Sequence, residues 1–129
     1  MKTSYIPPTQ VISPKRQWSL IAVLDDDGEE GAALAIGRWD SALVLAMRWN
    51  GTTENPIGNP QSRGLPTWFI VPDNFRDAIV EKIAPDKKTL VRTLFQQEEA
   101  DRGIVASARH DRESGKIIWR FPRIDLKPR

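Results

Sequence analysis

The chain has no cysteine. That removes disulfides, thiol nucleophiles and thiolate metal sites together, and it suits a reducing cytoplasm. It has one histidine, His110, so no histidine cluster for zinc or iron can be assembled, and no cofactor is expected. No apolar run approaches the roughly 20 residues that span a bilayer, so no membrane partner is expected. Met1 to Pro14 lacks the apolar stretch of a secretory signal and holds three prolines. It reads as a flexible N-terminal arm. Net charge is also scarce, at +2.

What is present is ordinary for a globular chain: 129 residues, 40% hydrophobic and 28% charged. The length predicts a single domain over residues 1–129. The charge is unevenly placed. Asp25, Asp26, Asp27, Glu29 and Glu30 form an acidic knot, whereas basic residues dominate from Arg102 to Arg129. The knot lacks the alternating ligands of a calcium loop and reads as a hairpin tip. The basic end reads as a solvated surface, a partner for the acidic turn, or a contact for nucleic acid.

Three strands are expected first. Gln17 to Leu24 is apolar on both faces, with Trp18, Leu20, Ala22 and Leu24 on one and Ile21 and Val23 on the other. Asp27-Gly28 is a hairpin signal. Ala32 to Trp39 is a return strand, although its alanines also suit a helix. Ala42 to Trp49 alternates cleanly, with Leu43, Leu45, Met47 and Trp49 opposite Ala42, Val44, Ala46 and Arg48. A fourth strand is expected over Thr67 to Val71. Asp73 is placed to cap a helix carrying Phe75, Ile79 and Ile83. Pro85 ends that helix and can open the next, over Asp86 to Ala100, with Gly103 at its C-terminal cap. Ile104 to His110 and Lys116 to Phe121 are expected as a closing hairpin. The fold class is therefore α+β: an antiparallel sheet, built from a meander and a C-terminal hairpin, with one or two helices packed on one face.

The stretch between Trp49 and Trp68 is the candidate site. It is long for a connection and dense in Gly, Pro and Asn. Its Gly51, Gly58 and Gly64 alternate with Pro56, Pro60 and Pro66, so an ordered rather than floppy loop is expected. Asn50, Asn59, Gln61 and Ser62 carry hydrogen-bonding side chains, and Arg63 carries a forked cation suited to carboxylate or phosphate. Trp49 and Trp68 offer flat stacking surfaces. The same residues have a purely structural reading, with tryptophans in the core and amides serving loop backbone. No catalytic constellation accompanies them. His110 beside Asp111 has no nucleophile partner, and Gly58 to Gly64 lacks the Gly-Lys-Ser/Thr ending of a phosphate loop. A hydrolase built on Asp40, Asp73 or His110 ranks last among the readings.

Trp49-Asn50-Gly51, Asn55-Pro56-Ile57-Gly58-Asn59-Pro60-Gln61-Ser62-Arg63-Gly64 and Pro66-Thr67-Trp68-Phe69 resemble a pattern in small hypothetical proteins encoded on integron gene cassettes. That resemblance implies a mobile bacterial gene and carries over no catalytic residue. The order of meander, Gly/Arg loop, strand and helix is also similar to the single-stranded-DNA-binding transcriptional coactivators with a whirly-like sheet, with Arg63-Gly64 at the basic turn. The expectation is a non-enzymatic binding protein that self-associates as a homo-oligomer. Single-stranded nucleic acid, met by Arg63, Arg48, the basic tail and a stacking tryptophan, is the alternative, beside a small ligand.

Overall fold

The computed structural model describes residues 5–113, with side chains to Arg102. The fold is α+β, and the described residues form a four-stranded antiparallel sheet, a two-stranded sheet and two helices. The strands are β1 (Trp18–Asp26), β2 (Ala32–Trp39), β3 (Ala42–Trp49), β4 (Gln61–Ser62), β5 (Leu65–Pro66) and β6 (Phe69–Ile70). The helices are α1 (Arg76–Val80) and α2 (Pro85–Glu113). The larger sheet runs β1-β2-β3-β6, and β4 pairs with β5. The chain clusters into two compact units, Met1–Lys87 and Lys88–Arg129.

The meander obeys its sequence signals. β2 and β3 occupy the residues expected of them. Between them Asp40 (φ 50°) and Ser41 (φ 76°) form a two-residue turn with both residues left-handed, the type I′ geometry that matches strand twist. Neither is glycine, so the turn carries strain. Ser41→Gly is expected to raise stability by about 0.5–1 kcal/mol, read as a higher thermal midpoint.

The register settles why the alanines of β2 sit in a strand. Ala33, Ala35 and Gly37 lie opposite Arg48, Ala46 and Val44 on one face of the sheet. These small side chains leave room for two indoles. A Cβ on Gly37 would fall on the Trp18 ring and 2.6 Å from the Ser19 carbonyl oxygen. Trp18 and Trp68 meet at a centroid distance of 5.9 Å, and with Val11, Ala33, Ala35, Val44 and Ala46 they form the buried cluster of this face. The opposite face carries Leu34, Ile36, Leu43 and Leu45, all buried.

Several expectations need correction. Among the described residues β1 is an edge strand, and Ile21 is exposed. Its pairing shifts between Leu20 and Ala22 and again between Val23 and Asp25. Each bulge adds a residue and turns the remainder of the strand to the other face. Val23 therefore pairs with Ala35 on the side of Trp18 and Leu20, whereas Ala22 pairs with Ile36 on the other side. The N-terminal arm is not free from Ile6 onward. Val11 is fully buried, Pro8–Gln10 forms a 3₁₀ turn, and Ile6 packs on the indole cluster. Asp73 opens a 3₁₀ turn, Asp73–Phe75, that runs directly into α1, so the residue immediately preceding the helix is Phe75 and not Asp73.

The C-terminal hairpin is not formed as expected. Its first arm, Ile104 to His110, is helical, because α2 opens at Pro85 and runs through Gly103 to Glu113. One glycine inside a helix costs about 1 kcal/mol relative to alanine. The Ala, Arg and Glu residues on both sides outweigh that, and Glu98 and Arg102 pair at 3.2 Å one turn apart just before it. The second arm, Lys116 to Phe121, lies outside the described residues. Among the described residues no helix is long and apolar enough to cross a membrane.

Candidate functional site

The sheet splits at the end of β3. Ala46 and Met47 pair with Ile70 and Phe69 of β6. Further along the strand Trp49 pairs with Asn59 instead, exchanging N–H···O bonds of 2.7 and 3.0 Å. Residues 58–60 thus wedge between β3 and the chain that leads into β6. Thr67 N–H donates to the Pro60 carbonyl at 3.0 Å, and β4 and β5 continue outward as a small hairpin. Such a fork leaves carbonyls without ladder partners, and buried carbonyls need donors.

Arg48 supplies them. It is the β3 residue at the fork, and alternation turns it to the same face as Val44 and Ala46. Its guanidinium donates to the carbonyls of Ile57 and Thr67 and reaches Pro60 at 3.4 Å. The side chain is only 3% exposed, and its cation stands 6.0 Å over the Trp68 ring. Burial pulls the guanidinium below its ordinary pKa, with no carboxylate among the described residues to oppose the shift. The loop is therefore ordered by a buried cation. The sequence alone points Arg48 only toward the nucleic-acid alternative.

A second tie fixes the other side. Asn50 is buried, and its amide donates to the Asp26 carboxylate at 2.8 Å and to the Gly28 carbonyl at 2.9 Å. The acidic knot is partly engaged in this way, because Glu29 also accepts from the amide and hydroxyl of Thr53. Among the described residues no group of three or more His, Asp or Glu can hold a metal ion.

The candidate residues divide into two sets. Trp68 belongs to the core, where its indole N–H donates to the Val11 carbonyl at 2.7 Å. Asn50 is structural for the reason just given. Trp49, Asn59, Gln61, Ser62 and Arg63 are at the surface. Trp49 is 61% exposed, and its direct pairing puts the Asn59 side chain beside it on the same face. Gln61 donates its amide to the Gly58 carbonyl at 3.0 Å. Arg63 (φ 53°) and Gly64 (φ 79°) make the tip of the β4–β5 hairpin.

Phe69 is absent from the set that the sequence suggests. It lies opposite Met47, on the face of Trp49, and is 56% exposed. The signal was available: Trp68 and Ile70 turn to the buried cluster, so the residue between them turns outward. The result is two exposed aromatics on one face, with an amide beside Trp49, held on a fixed backbone. That arrangement can stack and hydrogen-bond. No family model, curated protein or solved structure matches the chain.

Proposed function

We propose that the protein is a non-enzymatic interaction protein that self-associates through the surface bearing Trp49, Phe69 and Asn59. The observation that supports this is the exposure of Trp49 and Phe69 on one face of the sheet, on a backbone clamped by Arg48. An indole held in water over most of its area gains from being covered, and a rigid aromatic loses little entropy when that happens. Two copies of one patch can cover each other across a two-fold axis. The compartment in this reading is the cytoplasm, which a cysteine-free chain suits, and the gene belongs to a mobile cassette.

Light scattering at high micromolar concentration is expected to find a dimer. Trp49→Ala is expected to weaken it at least tenfold, about 1.4 kcal/mol, and to change unfolding free energy by no more than about 0.5 kcal/mol. A strict monomer at that concentration removes the reading.

Single-stranded nucleic acid is the alternative partner. Arg48 and Trp68 are buried and leave this alternative, whereas Trp49 and Arg63 remain exposed and support it. Stacking one base on Trp49 contributes about 1–3 kcal/mol. The same Trp49→Ala protein separates the two partners. Loss of an oligonucleotide-induced fluorescence change, steeply reduced by salt in the parent, selects nucleic acid. No change in the parent at low salt eliminates it.

A further inference from the structure

Among the described residues nothing pairs with the outer edge of β1. This strand closes one side of the sheet, and β6, with Phe69, closes the other. An edge strand presents peptide N–H and C=O groups that another strand can pair with, and proline or a charge along the strand is a common guard. The middle of β1, Ser19 to Leu24, has neither. Its two bulges leave Ile21 and Leu24 out of the pairing with β2, and Ile21 is 43% exposed. The bulges also add twist, which keeps any further pairing short.

Charge stands only at the ends of the strand, with opposite signs. Lys15 and Arg16 lie in the turn that leads into β1, where the N–H groups of Gln17 and Trp18 donate to the Pro14 carbonyl at 3.2 and 2.8 Å. Asp25, Asp26 and Asp27 lie at the far end, and all five side chains are exposed. Asp26 is engaged by Asn50 and by the Gly28 N–H. The side chains of Lys15, Arg16, Asp25 and Asp27 make no hydrogen bond or ion pair among the described residues.

We infer that β1 pairs antiparallel with the β1 of a second copy, about a two-fold axis at Ile21. Such an axis sets one residue against its own copy. With Ile21 there, Arg16 falls opposite Asp26 and Lys15 opposite Asp27, at both ends. Parallel pairing would set like charges together. A contact one strand wide buries little area, so it is expected to be weaker than the covering of Trp49 and Phe69, and to join copies at higher concentration. It uses the other edge of the sheet from β6, so it goes beyond the self-association proposed above and does not rest on it.

The test exploits the absence of native cysteine. Ile21→Cys sets two thiols across the axis, where facing Cα atoms of a strand pair are about 4.5–5.5 Å apart, within disulfide reach. Oxidation of the full chain by diamide is expected to give a covalent dimer. Ser19→Cys, exposed on the same strand, is expected not to, because in this register its two copies are offset by about 13 Å. In the Ile21→Cys chain, Lys15→Glu with Arg16→Glu makes both ends acidic, and Asp25→Lys with Asp27→Lys makes both ends basic. Each is expected to slow the cross-link about tenfold, and mixing the two is expected to restore it. Added salt should slow the parent cross-link and speed that of the acidic variant, a reading that stands even if the basic variant does not fold. Trp49→Ala is expected to leave the cross-link unchanged. An Ile21→Cys cross-link no faster than that of Ser19→Cys, no recovery when folded variants are mixed, or salt slowing both chains alike would each overturn the proposal. Loss of the cross-link in Trp49→Ala would also overturn it, by making this contact a by-product of the aromatic surface.

Discussion

Arg48→Leu is expected to lower the unfolding free energy by about 2–4 kcal/mol, with protease cleavage appearing within residues 52–65 before global unfolding. The guanidinium serves the carbonyls of Ile57, Thr67 and Pro60. Pro60 keeps a donor without it, because Thr67 N–H remains at 3.0 Å. The Ile57 and Thr67 carbonyls lose theirs, at about 1–3 kcal/mol for each buried acceptor left unpaired. Part of that loss is offset, because leucine removes a buried cation that no carboxylate neutralises among the described residues. Denaturant titration measures the sum.

Arg48→Lys separates charge from shape. Lysine keeps the charge and gives up the fork, so it bears the same desolvation for fewer hydrogen bonds. It is expected to be no more stable than the leucine variant. Its stability should also depend on pH. Burial depresses the folded-state pKa of the amine below the unfolded value, so the unfolded chain binds the proton more tightly. Stability then rises with pH between the two values. The parent shifts in the same direction, but the guanidinium titrates too high for the effect to be reached. A lysine variant as stable as the parent would show that charge alone holds the loop.

The uneven legibility of the sequence has a physical cause. β3 is legible to the residue because it alternates without interruption between two turn signals. That alternation also turns Arg48 inward beside Val44 and Ala46, but the sequence does not show that a fork in the backbone needs a cation there. β1 alternates too, and two bulges spoil the inference, since a bulge depends on the partner strand and leaves no mark of its own in composition. The Pro/Gly loop is ordered, as its composition suggests, but for a different reason: its prolines and glycines permit the path, and Arg48 and Asn50 hold it. Trp68 looks like part of the site because a tryptophan next to a polar loop resembles a platform. Its burial depends on the long-range arrival of Val11, 57 residues away in the chain. The prolines around Val11 suggest a free arm, whereas proline is compatible with any packing that asks for no N–H.

Gly58→Ala is expected to cost about 3 kcal/mol or more, against about 1 kcal/mol for Gly64→Ala. Both glycines are left-handed, at φ 69° and 79°. A side chain in that region costs about 1–2 kcal/mol wherever it stands. The surroundings differ. A Cβ on Gly64 meets nothing within 4 Å. One on Gly58 would fall on the Trp49 carbonyl oxygen and come 2.7 Å from both the Gly51 amide nitrogen and Nη2 of Arg48. The first two are backbone atoms, and the Trp49 carbonyl is already engaged by Asn59 N–H at 3.0 Å, so it cannot retreat without opening that pair. The third is the end of the clamp. The alanine variant should therefore lose stability and also the alignment of Asn59 beside Trp49, weakening self-association together with the fold. Gly64→Ala should leave association unchanged. Equal losses of stability in the two variants would mean that backbone conformation, and not the close approach of the loop to β3, sets the need for glycine at position 58.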